Sequence, residues 1–295
     1  MTNDKLDALL CHWSFLIGMR YLVVGHVCQD LTSAGWAFGG TVTYSARAAR
    51  ALGCDVRVIT STAPDLDLRP ALLDIEVTLL PSDCTTTFEN IYTPNGRQQI
   101  LHAVASRLDF AKVDSPSLHT PPIDIVHLAP VAQEIDRGWL TAFAGASIDV
   151  TPQGWLRQWD SAGRVSPIEW QNATEVFQRA AATVISIEDV GGDESIVKRW
   201  AAQASVLVVT RGRDGCTVYA NGRSIDVPAP AEIEIDPTGA GDIFATAFFV
   251  RLRQTHDPLV AARFATCIAA KSITRHGLDS VPTPLEMERC LTSTL

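Results

Sequence analysis

A chain of 295 residues is long enough for one large α/β domain with an appendage, or for two domains. Its 46% hydrophobic and 19% charged residues fit a protein that buries a large core, and its net charge of −9 argues against nucleic acid or an anionic membrane as a main partner. The seven cysteines, at positions 11, 28, 54, 84, 216, 267 and 290, form no C-x-x-C pair, so they point to neither a zinc site nor a redox motif and read as reduced thiols of a cytoplasmic protein.

Residues 6–17 are apolar but too short to span a membrane. They are broken by His12 and preceded by Asp4 and Asp7, so they read as neither signal peptide nor anchor. Residues 1–18 are therefore expected to be an extension. The apolar run 21–25 ends in glycine and predicts a buried strand of a parallel sheet. Helical periodicity is absent over 26–39. Gly39-Gly40 then opens an amphipathic helix over 41–52, stopped by Gly53, and 56–60 is the next strand. Runs 77–79, 85–92 and 98–103 alternate, with a turn at Pro94-Asn95-Gly96, and predict a small β-rich subdomain.

Beyond it, strands at 123–128, 147–150, 184–187 and 206–210 alternate with helices at about 135–143, 173–182 and 193–202. A hairpin follows, 216–219 with 224–227, turning at Asn221-Gly222. A strand-like run, 232–235, precedes helices at 240–253, 257–275 and 284–292. This rhythm predicts an α/β fold: a doubly wound, mostly parallel sheet with helices on both faces. A β-rich insertion early in such a domain suggests a lid over the carboxyl edge of the sheet, where these folds bind ligands.

The stretch richest in chemistry is Asp236-Pro237-Thr238-Gly239-Ala240-Gly241-Asp242. Its glycines leave backbone open at the entry of a helix, whose first N–H groups and dipole favour an anion. Asp242 follows inside the first turn. A carboxylate there would repel a phosphate unless its task is to take a proton from an attacking hydroxyl, the arrangement that phosphoryl transfer needs. The alternative is a capped helix in which Thr238 and Asp242 serve only the dipole.

The seven residues resemble the C-terminal signature of the PfkB (ribokinase-like) carbohydrate kinases. That resemblance implies an anion hole at Gly239, Ala240 and Gly241 and a catalytic base at Asp242. Gly25-His26-Val27-Cys28-Gln29-Asp30 and Gly39-Gly40 resemble the family's N-terminal signature, which gives Asp30, Gly39 and Gly40 to the substrate. Thr210-Arg211-Gly212-Arg213-Asp214-Gly215 resembles its T-x-G-x-x-G nucleotide segment, which assigns Thr210, Gly212 and Gly215, with Thr238, to ATP. Ser186-Ile187-Glu188-Asp189 stands where the family has N-x-x-E, so Glu188 or Asp189 is implied to hold Mg²⁺, largely through water. Residues 272–282 resemble a loop that in some members encloses a monovalent cation such as K⁺.

The resemblance covers about residues 20–285. It implies a core made of 19–28, 40–73 and 107–295, and a lid made of 29–39 and 74–106. Where ribokinases hold ribose, this chain has Cys28, Thr41, Tyr44 and Ala129, so ribose is not expected. Segments 39–45, 85–90 and 149–157 resemble the inositol-kinase-like branch, and Asn90, Gln153 and Arg157 are candidate substrate contacts. The reading is an ATP-dependent kinase for a small neutral polyol or sugar, myo-inositol favoured, cytoplasmic and a monomer or homodimer. The alternatives are a nucleoside or other sugar kinase of the family, and a catalytically silent sugar-binding regulator. Among the histidines, His26, His102 and His127 share no spacing with the others and read as satisfied core or surface residues. No G-x-x-x-x-G-K-[ST] and no G-x-G-x-x-G after the first strand are present, which argues against a Walker-type ATPase and a Rossmann dehydrogenase.

Overall fold

The computed structural model describes residues 18–93, 96–113 and 116–293; the expected N-terminal extension (1–17) and part of the turn at Pro94-Asn95 lie outside them. The strands are β1 (Arg20–Val24), β2 (Cys28–Thr32), β3 (Gly35–Gly39), β4 (Asp55–Thr62), β5 (Glu76–Pro81), β6 (Thr86–Thr93), β7 (Gly96–Ala103), β8 (Ile125–Leu128), β9 (Ser147–Val150), β10 (Arg157–Trp159), β11 (Val165–Pro167), β12 (Ala182–Ser186), β13 (Val206–Thr210), β14 (Cys216–Ala220) and β15 (Arg223–Val227). The longer helices are α1 (Thr41–Ala51), α2 (Ala173–Arg179), α3 (Glu194–Ala201), α4 (Ala240–Thr255), α5 (Pro258–Ser272) and α6 (Pro284–Ser293).

A nine-stranded sheet runs β15-β14-β13-β12-β9-β8-β1-β4-β5. From β13 to β5 every pairing is parallel; β14 and β15 add an antiparallel edge. One face is covered by α1, α4, α5 and α6 through Val42, Phe244, Phe248, Phe264 and Met287. The other is covered by α2 and α3 with Trp139, Trp170, Phe177 and Trp200. Both faces are thus buried, which is why the inner strands read as unbroken apolar runs. The fold is the expected doubly wound α/β one.

A separate mixed sheet, β3-β2-β6-β7, stands over the carboxyl edge, as a lid would. It is smaller than the sequence suggests, because β5 pairs with β4 in the large sheet. Residues 76–81, expected in the lid, therefore belong to the core sheet. Alternation over 77–79 suits an edge strand of either sheet equally.

Three further expectations are corrected. The region 135–143 holds only a 3₁₀ turn, Arg137–Leu140, and Trp139 fills the core there with Nε1 donating to the Leu108 carbonyl at 2.7 Å. The run 232–235 is not a strand. Pro228 and Pro230 remove ladder donors just before it, Ile233 is 82% exposed, and only the Ile235 and Asp236 amides find a partner, the Ile273 carbonyl. Two cysteines are not reduced: Cys267 on α5 and Cys290 on α6 form a disulfide, with Cα atoms 5.6 Å apart, because the two helices pack together. Cys28, Cys54, Cys84 and Cys216 are free thiols. Among the described residues no helix is long and apolar enough to cross a membrane.

Candidate active site

The loop from Asp236 leads into α4, a helix of sixteen residues, at the carboxyl edge of the large sheet. Gly239 takes the N-cap position with φ 77°, a left-handed conformation that favours glycine. A Cβ there would stand 2.5 Å from Cε1 of Tyr44, so the residue is also glycine for space. At Gly241 a Cβ would meet nothing within 4 Å. The space over Gly241 is therefore open, as an anion site requires, while the Ala240 amide donates to the Pro237 carbonyl at 3.1 Å.

Asp242 stands in that turn. It is partly open to solvent but crowded by protein, and that burial pushes its carboxyl up to about 7. A hydrogen bond with the Thr41 side chain and the charge of Arg157 oppose the rise, and the charges of Asp189 and Asp30 add to it. Residues from α1, β2, the β10 strand and the β12 strand end thus converge electrostatically on one carboxylate.

Behind Asp242 the Thr246 hydroxyl donates to its carbonyl at 2.9 Å. The Tyr21 hydroxyl is hydrogen-bonded to Thr246 and lies 2.9 Å from His127 Nδ1, and His127 Nε2 lies 2.9 Å from the Thr151 hydroxyl. His127 is wholly buried, which pulls its pKa down to about 3 and keeps it neutral. A polar chain thus joins the backbone of the first turn of α4 to the end of β9, two residues before Gln153. Sequence spacing gave no sign of it, because its members lie on β1, β8, β9 and α4.

On the lid side, Asp30 in β2 pairs with Ala37 and Phe88, and its carboxylate lies over Gly39. Gly40 has φ 84°, and a Cβ would come within 3.0 Å of Cys28 Sγ. Asn90 in β6 accepts a hydrogen bond from Gln99 across the hairpin at 3.0 Å. Arg157 opens the β10–β11 hairpin, an addition that the sequence reading missed. The hairpin contacts the lid, Leu101 donating its amide to the Gly163 carbonyl at 2.8 Å. Strands of three residues carry too little alternation to be seen in a sequence.

Gln153 Nε2 lies 3.5 Å from Asp189 Oδ1, and Asp189 Oδ2 accepts the Ser186 amide at 2.9 Å. Asp189 is thereby turned toward the site. Glu188, by contrast, is exposed to solvent. Among the described residues no group of three or more His, Cys, Asp or Glu could hold a metal alone. One oriented carboxylate suits a Mg²⁺ that keeps water and takes phosphate oxygens, and Asp189 fits that demand.

Thr210 ends β13, and its hydroxyl donates to the Ile185 carbonyl at 3.3 Å. Gly212 and Gly215, both at positive φ, frame the turn into β14, where a Cβ at Gly215 would stand 2.7 Å from the Ala229 amide. Thr238 donates its amide to Asp236 Oδ1 at 2.9 Å, and Asp236 Oδ2 accepts the Gly277 amide at 2.9 Å, which ties the anion loop to the loop after α5. Burial would raise the Asp236 carboxyl, but these bonds outweigh it and hold it below the usual range.

The family profile described as pfkB family carbohydrate kinase matches residues 181–284. The cytidine kinase of Thermococcus kodakarensis is 28% identical over 250 residues, 77% of this chain and 86% of that protein. Fructokinase-1 of Oryza sativa subsp. japonica is 30% identical over 148 residues, 47% of this chain and 42% of that protein. Among solved structures, a pyrophosphate-dependent kinase of the ribokinase family complexed with a pyrophosphate analog and myo-inositol superposes with a TM-score of 0.70 at 20% identity, covering 91% of this chain and 98% of that one. The ribokinase of Thermotoga maritima gives 0.68 at 20% identity, covering 93% and 99%. Residues 181–284 thus match the pfkB family of carbohydrate kinases, and the chain as a whole has the ribokinase-like fold.

Proposed function

We propose that the protein transfers the γ-phosphoryl group of ATP to a hydroxyl of a small polyol or sugar, with myo-inositol the favoured acceptor. The observation that carries this is Asp242: a carboxyl raised to about 7 in the first turn of α4, beside open space over Gly241. The acceptor hydroxyl gives its proton to Asp242 as its oxygen bonds to the γ-phosphorus. The bond from that phosphorus to the β-γ bridging oxygen breaks, and ADP leaves with the electron pair. The amides of Gly239 and Gly241, and that of Ala240 once it leaves the Pro237 carbonyl to which it donates at 3.1 Å, stabilise the charge on the transferred group.

Asp30, Gly39, Gly40, Asn90, Gln153 and Arg157 line the acceptor side. Thr210, Gly212, Gly215 and Thr238 line the nucleotide side, where the exposed Ile233 and Ile235 offer an apolar shelf for a base. Asp189, rather than Glu188, holds Mg²⁺ through water, and the ion when bound offsets phosphate charge. K⁺ is tested by exchanging it for Na⁺, since Asp236 already spends both oxygens on backbone amides. The reaction belongs in the cytoplasm, where ATP is plentiful, and the site as described uses one copy of the chain.

Arg157 supports a second reading of the acceptor. It acts electrostatically on both Asp242 and Cys28, so a sugar acid could place its carboxylate there. The test is release of ADP, or of phosphate from pyrophosphate, with myo-inositol, ribose, fructose, cytidine, a sugar acid and fructose 6-phosphate as acceptors. Stimulation by myo-inositol with ATP supports the reading. Pyrophosphate preferred over ATP would replace the donor, and no stimulation by any acceptor would favour the silent regulator.

A further inference from the structure

The lid meets the core at four crossings, and His26 reaches all of them. This wholly buried residue stands in the first crossing, between β1 and β2. Its Nε2 lies 2.9 Å from the carbonyl of Ser106, where the chain returns from β7 to the core. Its Nδ1 lies 2.7 Å from the hydroxyl of Thr86, where the chain enters β6. The Thr86 oxygen also accepts the Ala105 amide at 3.0 Å. The last crossing, from β3 into α1, passes through Gly40, where a Cβ would overlap the His26 carbonyl.

A carbonyl only accepts, so Nε2 carries a hydrogen, and Nδ1 pairs with the Thr86 hydroxyl, whose oxygen takes the Ala105 N–H. Both ring nitrogens thus have partners at the lid crossings. The crossing is also anchored from the core side. The His26 amide donates to Glu134 Oε1 at 3.0 Å, and the same carboxylate accepts the Val131 and Ala132 amides. The next amide, Val27, donates to the Thr60 hydroxyl at 2.8 Å.

We propose that His26 is a positioning residue, a clamp that gathers the roots of the lid and so fixes where lid-borne Asp30 stands relative to core-borne Asp242. The clamp rests on geometry alone; its effect on turnover rests on the kinase reading above. The first measurement is hydrogen–deuterium exchange on the full chain without ligand. His26→Leu, and Thr86→Val as a milder variant that keeps shape, are expected to speed exchange in 28–39 and 86–103 by about tenfold or more and leave β8 and β9 unchanged. Thr86→Ser, which keeps the hydroxyl, is expected to restore slow exchange. Unchanged lid exchange, or an equal rise in β8 and β9, would overturn the clamp, and if His26→Leu does not fold the Thr86 pair decides it.

The second measurement uses the best acceptor of the panel above. The loosened variants are expected to raise its KM by about tenfold while the KM for ATP stays within about twofold. A loosened lid with an unchanged acceptor KM would overturn the link to Asp30. Should no acceptor be turned over by the unmodified protein, it is the kinase reading that fails, and exchange alone judges the clamp.

Discussion

The Asp30 carboxylate lies over Gly39, so close that a Cβ on Gly39 would stand 2.5 Å from Asp30 Cγ. The two are on neighbouring antiparallel strands, Asp30 opposite Ala37 and Gly39 opposite Cys28. Glycine here is a demand of the carboxylate, which could not otherwise hold its place above the backbone. Gly39→Ala should therefore displace Asp30 and raise the acceptor KM by roughly ten- to a hundredfold while the KM for ATP holds. Steady-state kinetics with both substrates varied checks this; an unchanged acceptor KM would remove Asp30 from the acceptor site.

Asp242→Asn should lower kcat by several orders of magnitude and leave ATP binding intact, because the base is lost and the cradle is not. In the unmodified protein the rate should climb with pH and level off above about 7, where burial has placed the Asp242 carboxyl. Thr41→Val removes a hydrogen bond that lowers this pKa, so it should move the acid limb to higher pH. Stability follows the opposite course. The folded pKa lies above the ordinary carboxylate value of 3.8, so the contribution of Asp242 is full at low pH and is lost as pH rises through about 7. Asp242→Asn should then melt higher than the unmodified protein at pH 8, with the advantage shrinking toward pH 4. A thermal melt series across that window reads it directly.

Glu188 and Asp189 are neighbours that sequence could not separate, and the structure gives them different surroundings. Asp189 bonds the Ser186 amide and Gln153 and acts on Asp242, while Glu188 faces solvent. Asp189→Asn should raise the Mg²⁺ concentration for half-maximal rate by about tenfold, whereas Glu188→Gln should change it by less than about twofold. Titration of activity with Mg²⁺ separates the two, and equal effects would return the assignment to both.

What the sequence made legible was local. The loop 236–242 and the opening of α4 depend on residues a few positions apart, and the buried parallel strands announce themselves by being apolar throughout. What it hid depends on distant partners. Whether 77–79 joins the lid or the core is decided by β4, not by its own alternation. The β10–β11 hairpin is too short to show a period, and the Tyr21–His127–Thr151 chain exists only once β1, β8 and β9 lie side by side. The partnership of Cys267 with Cys290 needs α5 packed on α6.

That disulfide closes a segment with a sequence separation of 23. Loop-closure entropy for a segment of that size gives a stabilisation of about 3 kcal/mol. Cys267→Ser, or a reductant, should lower the melting temperature by several degrees and leave kcat unchanged, since both residues lie outside the site. Differential scanning calorimetry with and without dithiothreitol checks it; coincident melts would show that the bridge contributes nothing to stability.

The last prediction concerns the acceptor. The expected lid offered one cation, Arg97, whose side chain lies outside the described residues, against Asp30, Asp74, Glu76, Asp83 and Glu89. The structure moves Glu76 to the core sheet and adds the β10–β11 hairpin, which brings Arg157 to Asp242. Asp30 and Asp242 together with Asp189 keep the acceptor side acidic despite Arg157, so a phosphosugar dianion should remain a poor substrate and a neutral polyol a good one. Arg157→Gln divides what is left. With a neutral polyol, the variant should lose less than about tenfold in kcat/KM, since only hydrogen bonds to hydroxyls are altered. With a sugar acid, it should lose about a hundredfold or more, because a charge pair is broken. The comparison is kcat/KM for myo-inositol and for an aldonic acid in both proteins. A large loss with the acid alone, in a protein that already prefers the acid, would move the assignment to sugar-acid kinases. Preference for fructose 6-phosphate would overturn the charge argument altogether.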